Sequence, residues 1–490
     1  MLKSIEKMLI AFETNNIIYC HWKSNEHLEE ALLGDTDLDI LFLPEQRNKL
    51  DIILNECGLK RFRSLPLMQY NAIEDYIGFD KDTAKIWHLH LHYQMTLGEK
   101  HLKGYTITPW NSYILEHRQL DKLGIYTSSC EIELVLLIVR IALKKRMRDF
   151  GKKIGKDDLI EFVWLSNRVN FDLLLKFAKD MLDEQAAKEI LEISKNGLRN
   201  KNQLSKLQRI LRKDLKLFTG YSRISSRYMR TKREIFWLLG GVKRRLGIES
   251  VKANRRISPS GGCVVALLGC DGAGKSTTLA YVKKEFQKKL DVVTVYFGSG
   301  DGSSSLLRKP MKLVAKRVGG KGLGHTVEKE YENKDKISLK AKMYSFAKVL
   351  WAITLAQEKK AKLKKMTKAR NASMLVLTDR YPQTEISGFS DGPLLTKYST
   401  NTKGLMKKIS EWEYNIYKSA YVNPPDLVIK LMVPTEIAIS RKPEMTVDEI
   451  ENKKRVVMAM NASRHSVIID TSREMTKSFS DVREEIWKII

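Results

Sequence analysis

Cys263-Val264-Val265-Ala266-Leu267-Leu268 is an unbroken apolar run, and Gly269-Cys270-Asp271-Gly272-Ala273-Gly274-Lys275-Ser276-Thr277 follows it as a full GxxxxGK[ST] pattern. A continuous apolar run of this length belongs to a strand buried on both faces, the kind found inside a parallel sheet. Thr278 to Lys288 then reads as a helix with Leu279, Val282 and Phe286 turned inward. The spacing has a physical reason. Glycines let the backbone wrap so that its amides point at phosphate oxygens, and the helix amino terminus adds partial positive charge. Lys275 is placed to reach β and γ phosphates, and the Ser276 hydroxyl to ligate magnesium. The expectation for this half is a three-layer α/β domain with a parallel sheet that binds ATP and Mg2+.

Three later segments sharpen this. Met374-Leu375-Val376-Leu377-Thr378 is a second apolar strand ending in Asp379-Arg380-Tyr381-Pro382. Pro425-Asp426-Leu427-Val428-Ile429-Lys430-Leu431 precedes Pro434, Ala438 and Arg441, and Ser466-Val467-Ile468-Ile469-Asp470 reads as a last strand. With Asp271 inside the glycine loop, these elements resemble the thymidylate kinase-like family of nucleotide kinases over roughly residues 262 to 490. The resemblance implies roles. Asp379 would hold magnesium through water, Arg380 would sit between donor and acceptor phosphates, and Asp271 would face the acceptor. Arg441 and Lys442 would begin a lid, with Lys453, Lys454 and Arg455 behind them. The activity implied is transfer of the ATP γ-phosphoryl group to a nucleoside monophosphate or similar phosphorylated acceptor. Such transfer needs positioning and charge stabilisation and no covalent nucleophile.

Two departures put thymidylate in doubt as the acceptor. The family's Arg-Glu-Pro-Gly segment is replaced by Tyr296-Phe297 and then Gly298-Ser299-Gly300-Asp301-Gly302-Ser303-Ser304-Ser305, and its Tyr-Gln signature by Ser387-Gly388-Phe389-Ser390-Asp391-Gly392-Pro393. A sugar or lipid-linked acceptor is therefore an alternative, as is an ATP-binding regulatory or scaffold protein without phosphoryl transfer. Intact Lys275, Ser276, Asp379 and Arg380 speak against the scaffold.

At the other end, Ile17 to Trp22 reads as a strand, followed by Lys23-Ser24, a helix through Leu33, and the strand Asp37-Leu38-Asp39-Ile40-Leu41-Phe42. Alternation puts Asp37 and Asp39 on one face, where paired carboxylates suit a divalent metal. The order resembles the nucleotidyltransferase superfamily and implies an α+β domain. The usual Gly-Ser pair appears as Lys23-Ser24, and the place expected for a third carboxylate carries Ile86-Trp87-His88-Leu89-His90-Leu91-His92. Those histidines are either metal ligands or a polar strand face.

The chain has 490 residues, enough for two or three domains. The boundaries expected are 1–125 for the nucleotidyltransferase-like domain, 126–257 for a helical region with a basic connector, and 258–490 for the glycine-loop domain. Ser258-Pro259-Ser260-Gly261-Gly262 has linker composition. Its five cysteines lack CxxC or CxxH spacing, which fits a reducing cytoplasm and argues against structural zinc. The amino terminus does not read as a signal peptide. The formal charge of +28 comes with no nucleic-acid motif. The basic stretch 223–256 surrounds Phe236-Trp237-Leu238-Leu239, a composition that suits either an anionic membrane surface or a helix packed between domains with its cations in water.

Overall fold

The computed structural model describes residues 1–145, 154–198, 201–246, 251–298, 339–387, 391–396, 404–463 and 465–490. The chain forms two compact units: Met1–Ile248 with Asn254–Pro259, and Glu249–Ala253 with Ser260–Ile490.

The first unit carries strands β1 (Tyr19–His21), β2 (Leu38–Phe42), β3 (Lys60–Ser64), β4 (Ile73–Asp80), β5 (Lys85–His92), β6 (Met95–Leu97), β7 (Tyr105–Ile107), β8 (Gln119–Leu120), β9 (Tyr126–Thr127) and β10 (Arg256–Ile257). Eight form one mixed sheet in the order β10-β3-β4-β5-β2-β1-β9-β8, and β6 and β7 pair separately. Strand β5 runs antiparallel to β4 and parallel to β2. Its alternation decides what each face does. Trp87, Leu89 and Leu91 enter a core with Phe12, Tyr19, Leu38, Ile40 and Phe42, while His88, His90 and His92 take the opposite face.

The helical segment after Ile125 lies in this same unit. Ile132 to Val139, the greasiest stretch of the sequence, sits inside the helix Cys130–Lys144, where every residue from Glu131 to Val139 is buried. Helices Lys156–Ser166, Phe171–Met181, Glu184–Asn196 and Lys201–Asp214 complete the bundle, and its core is continuous with Cys20, Trp22, Leu41 and Met95 of the sheet region. Caps set the starts: Ser129, Asn170 and Asp183 each accept a hydrogen bond from an amide of the following first turn. In the basic helix Arg223–Arg245, Arg233 is buried and donates to the carbonyls of Leu102 and Gln69 at 3.1 and 2.8 Å. Trp237, Leu238 and Leu239 of that helix are about half exposed. Among the described residues no helix is long and apolar enough to cross a membrane.

The second unit carries β11 (Cys263–Gly269), β12 (Val292–Tyr296), β13 (Leu375–Asp379), β14 (Leu427–Met432) and β15 (Ser466–Asp470). They form a five-stranded sheet in the order β12-β13-β11-β14-β15, parallel throughout. One face packs on helices Leu339–Asn371 and Val447–Ala459, through Val264, Ala266, Leu268 and Val295 against Met366, Val456 and Val457. Helices Lys275–Phe286 and Met475–Ile489 cover the other. Three layers result. Strand β11 is central, and the chain moves to β13 on one side and β14 on the other. That reversal opens a crevice at the carboxyl ends of β11 and β13, where open α/β sheets take their ligands.

Candidate functional site

The helix after β11 begins at Lys275, three residues earlier than its apolar pattern predicts, because the glycine loop turns directly into it. Gly272 and Gly274 both hold φ of +82°, a conformation that side chains resist. Lys275 is buried, and its Nζ donates to the carbonyls of Gly269 and Cys270 at 2.9 and 2.7 Å. Burial, and next the like charge of Arg380, lower its pKa below the ordinary lysine value, against the pull of Asp271 and Asp379.

Asp379 is the last residue of β13 and stands opposite Leu267 of β11. Its Oδ2 accepts from Ser276 Oγ at 3.3 Å. Burial raises its pKa, with Lys275 and Arg380 opposing. Its Oδ1 is buried without a hydrogen-bond partner among the described residues. A buried carboxylate with an orphaned oxygen beside a hydroxyl is a donor set that fits a hard divalent cation.

Arg380 follows in the left-handed region, φ +67°, with its amide donating to Leu267 O at 3.0 Å. That turn directs the guanidinium over the crevice, 3.3 Å from Asp271 Oδ1 and 3.6 Å from Asp391 Oδ2. Lys453 hydrogen-bonds the other Asp271 oxygen. Burial alone would raise the Asp271 pKa, but the Lys453 bond and the charges of Lys453, Lys275 and Arg380 outweigh it and hold the carboxylate ionised. Leu268, Asp271, Arg380, Asp391, Lys453 and Met460 line a pocket here.

Sequence reasoning missed two members. The Asp391 side chain is only 6% exposed and ion-paired with Lys359 Nζ at 2.9 Å, and Lys359 also donates to Phe297 O at 3.2 Å. The pair steadies Arg380 from behind. No motif marks either residue, since they lie 32 positions apart. Arg441 donates to Gly272 O at 3.0 Å and Thr471 O at 3.1 Å, so it braces the backbone of the loop. Of the other cations expected at a lid, Lys453 reaches Asp271, Lys454 donates to Thr435 Oγ1 at 2.6 Å, and Lys442 pairs with Glu444. The segment 299–305 and residues 388–390, on which the acceptor argument rests, lie outside the described residues.

In the first unit Asp37 and Asp39 share a face, and each is directed to a histidine of β5. Asp37 Oδ1 lies 3.0 Å from His88 Nδ1, and Asp39 Oδ1 lies 2.8 Å from His90 Nδ1. Lys23 Nζ is 3.0 Å from the same Asp39 oxygen. A further carboxylate, Asp75 on β4, completes a row Asp39-His90-Asp75 across three strands. It takes His88 Nε2 at 2.8 Å, Arg256 at 3.1 Å and the Ser64 hydroxyl at 2.6 Å. Burial would raise the pKa of Asp39 and Asp75, yet Lys23 with His90 for the first, and His88 with Arg256 for the second, keep both below the carboxylate range.

No family profile matches the chain. The uncharacterized ATP-binding protein YghR of Escherichia coli K12 is 28% identical over 234 residues, 46% of this chain and 86% of that protein. The uncharacterized ATP-binding protein YghS of the same strain is 28% identical over 194 residues, 39% of this chain and 77% of that protein. Among solved structures, deoxyadenosine kinase from M. mycoides with bound dCTP is 16% identical, covering 46% of this chain and 98% of that chain, with a TM-score of 0.24.

Proposed function

We propose that the second unit is an ATP- and Mg2+-dependent phosphotransferase. The observation that carries it is the junction of Lys275, Ser276, Asp379 and Arg380 at the carboxyl ends of two adjacent parallel strands, with Ser276 Oγ 3.3 Å from Asp379. The names of the YghR and YghS relatives, both ATP-binding proteins, support the donor. Amides of Gly269 to Thr277 and the helix amino terminus would bind the ATP phosphates. Ser276 and Asp379 would hold the magnesium, which supplies charge neutralisation on the phosphates when bound. Lys275, held by the carbonyls of Gly269 and Cys270, would turn from them to the phosphate oxygens. Arg380, braced by Asp271 and Asp391, would face the oxygens of the γ-phosphoryl group as its bond to the β-phosphate breaks and the bond to the acceptor forms. Leu268 and Met460, which line the same pocket, would lower the dielectric around these charges and so strengthen them.

The reacting end of the acceptor would enter the pocket between Asp271, Arg380 and Lys453. A nucleoside monophosphate or similar phosphorylated molecule suits its cations. A hydroxyl acceptor, as on a sugar, is the second reading, because the ionised Asp271 carboxylate lines the same pocket and accepts a hydroxyl hydrogen bond. ADP release measured across nucleoside monophosphates, nucleosides and phosphosugars tests both. Lys275→Ala should remove turnover with every acceptor while far-UV circular dichroism stays unchanged. Turnover of that variant at the wild-type rate would refute the donor site.

A further inference from the structure

The histidine face of β5 has no part in phosphoryl transfer, and one of its members is in an unusual position. His92 is 1% exposed; its Nδ1 has no hydrogen-bond partner among the described residues, and its Nε2 stands 3.5 Å from Asp39 Oδ1, an ion-pair distance without good hydrogen-bond geometry. A buried polar group without a partner costs on the order of 1–3 kcal/mol, a cost that a ligand at this position would relieve. Two residues earlier, with the alternation of the strand, stands His90, and across the parallel register stands Asp39.

We propose that Asp39, His90 and His92 form a binding site for a first-row transition-metal dication of the zinc class, built from none of the residues proposed to hold magnesium. One ligand atom from each residue lies within 4.8 Å of the others. Asp39 Oδ1 is 2.8 Å from His90 Nδ1 and 3.5 Å from His92 Nε2. Tetrahedral bonds of 2.0–2.1 Å set ligand–ligand separations of about 3.3 Å, which these distances bracket. Two imidazoles and one carboxylate suit zinc, copper, iron or nickel better than magnesium, which prefers oxygen ligands. Three protein ligands leave a fourth position open. Asp37 and Asp75 both contact His88, the third imidazole of this face, which is not a ligand in the set. Lys23 is the competitor. Its ammonium, 3.0 Å from Asp39 Oδ1, pairs with the oxygen the metal needs, so binding requires it to swing aside.

The competitor supplies the test. The full-length protein, stripped with chelator and free of nucleotide, is dialysed against Zn2+ and assayed for bound metal, with Co2+ and its visible d–d bands as the spectroscopic probe. About one equivalent of zinc per chain is expected in the wild type, lost in His92→Gln. In Lys23→Ala the affinity is expected to rise at least ~10-fold, because a competing charge has been removed. The Lys23→Ala arm decides the matter if His92→Gln fails to fold. Equal metal in wild type and His92→Gln, no metal in the wild type, or an affinity unmoved by Lys23→Ala would each overturn the proposal.

Discussion

Gly272 and Gly274 share one backbone conformation and differ in what surrounds them, and this difference makes a prediction about the glycine loop. Both hold φ of +82°, yet a Cβ on Gly274 would meet nothing within 4 Å, whereas one on Gly272 would lie 2.7 Å from Ala438 O and 3.0 Å from Ala438 Cα. Ala438 sits fully buried in the helix Thr435–Arg441, so the obstruction is backbone that no rotamer can clear. Gly274→Ala should therefore cost only the left-handed penalty, roughly 1–2 kcal/mol. Gly272→Ala adds overpacking of roughly 1–3 kcal/mol to the same penalty. The loss of chain entropy in the unfolded state favours both variants equally and cancels. The difference expected is thus about 1–3 kcal/mol, read as the free energy of opening of peptides covering β11 and β13 by hydrogen exchange in graded urea. A second readout is ATP binding, where each 1.4 kcal/mol is about tenfold in affinity. Equal destabilisation by the two substitutions would refute the reasoning, since it would mean that the helix carrying Ala438 yields freely.

Three further predictions test other parts of the molecule. Asp37→Asn combined with Asp39→Asn should leave ATP binding unchanged within about twofold, measured by titration calorimetry; a large loss would mean that the clusters are coupled. Glu133 is buried, accepts from Asn25 N and Nδ2 at 3.0 and 2.6 Å, and is pushed up to about 8, first by burial and then by the charge of Glu161. A raised carboxyl pKa stabilises the fold below its ordinary value of 4.5 and loses that contribution as pH climbs toward 8, at up to ~1.4 kcal/mol per pH unit; thermal melts should decline over this window in the wild type and flatten in Glu133→Gln, and parallel profiles would dismiss the assignment. Thymidylate should be a poor acceptor, with kcat/KM below roughly 10⁴ M⁻¹s⁻¹, because the cationic Arg-Glu-Pro-Gly segment that would fix it is absent from the sequence; efficient turnover in a steady-state assay would sink this.

The donor half of the second unit was legible because its information is contiguous. Six apolar residues, a glycine loop and a helix declare a buried parallel strand within a short stretch, and Asp379-Arg380 declare themselves at the end of another. The brace behind Arg380 was not legible. Asp391 and Lys359 come together only through packing of a long helix against the crevice; Lys359 is one of 86 lysines and arginines, and nothing in the segment around Asp391 points to it. Asp75 escaped for a similar reason. It stands on β4, opposite His90 and one strand beyond the histidine strand, and nothing local in the sequence places it beside Asp39. The placement of the helical segment with the sheet of the first unit likewise depends on a shared core, from Trp22 to Leu211, that no local pattern encodes.

Strand β5 carries two messages in alternate letters, imidazoles on one face and Trp87, Leu89 and Leu91 on the other. Its neighbours on both sides fix the reading frame, one parallel and one antiparallel. Deleting a single residue from the turn 81–84 would shift the pairing by one, bringing three imidazoles into an apolar core and the indole of Trp87 out beside Asp37 and Asp75. Point substitutions along this strand damage one message at a time, whereas a one-residue indel erases both. A deletion scan across residues 81–92 should therefore be far less forgiving than a substitution scan of the same residues.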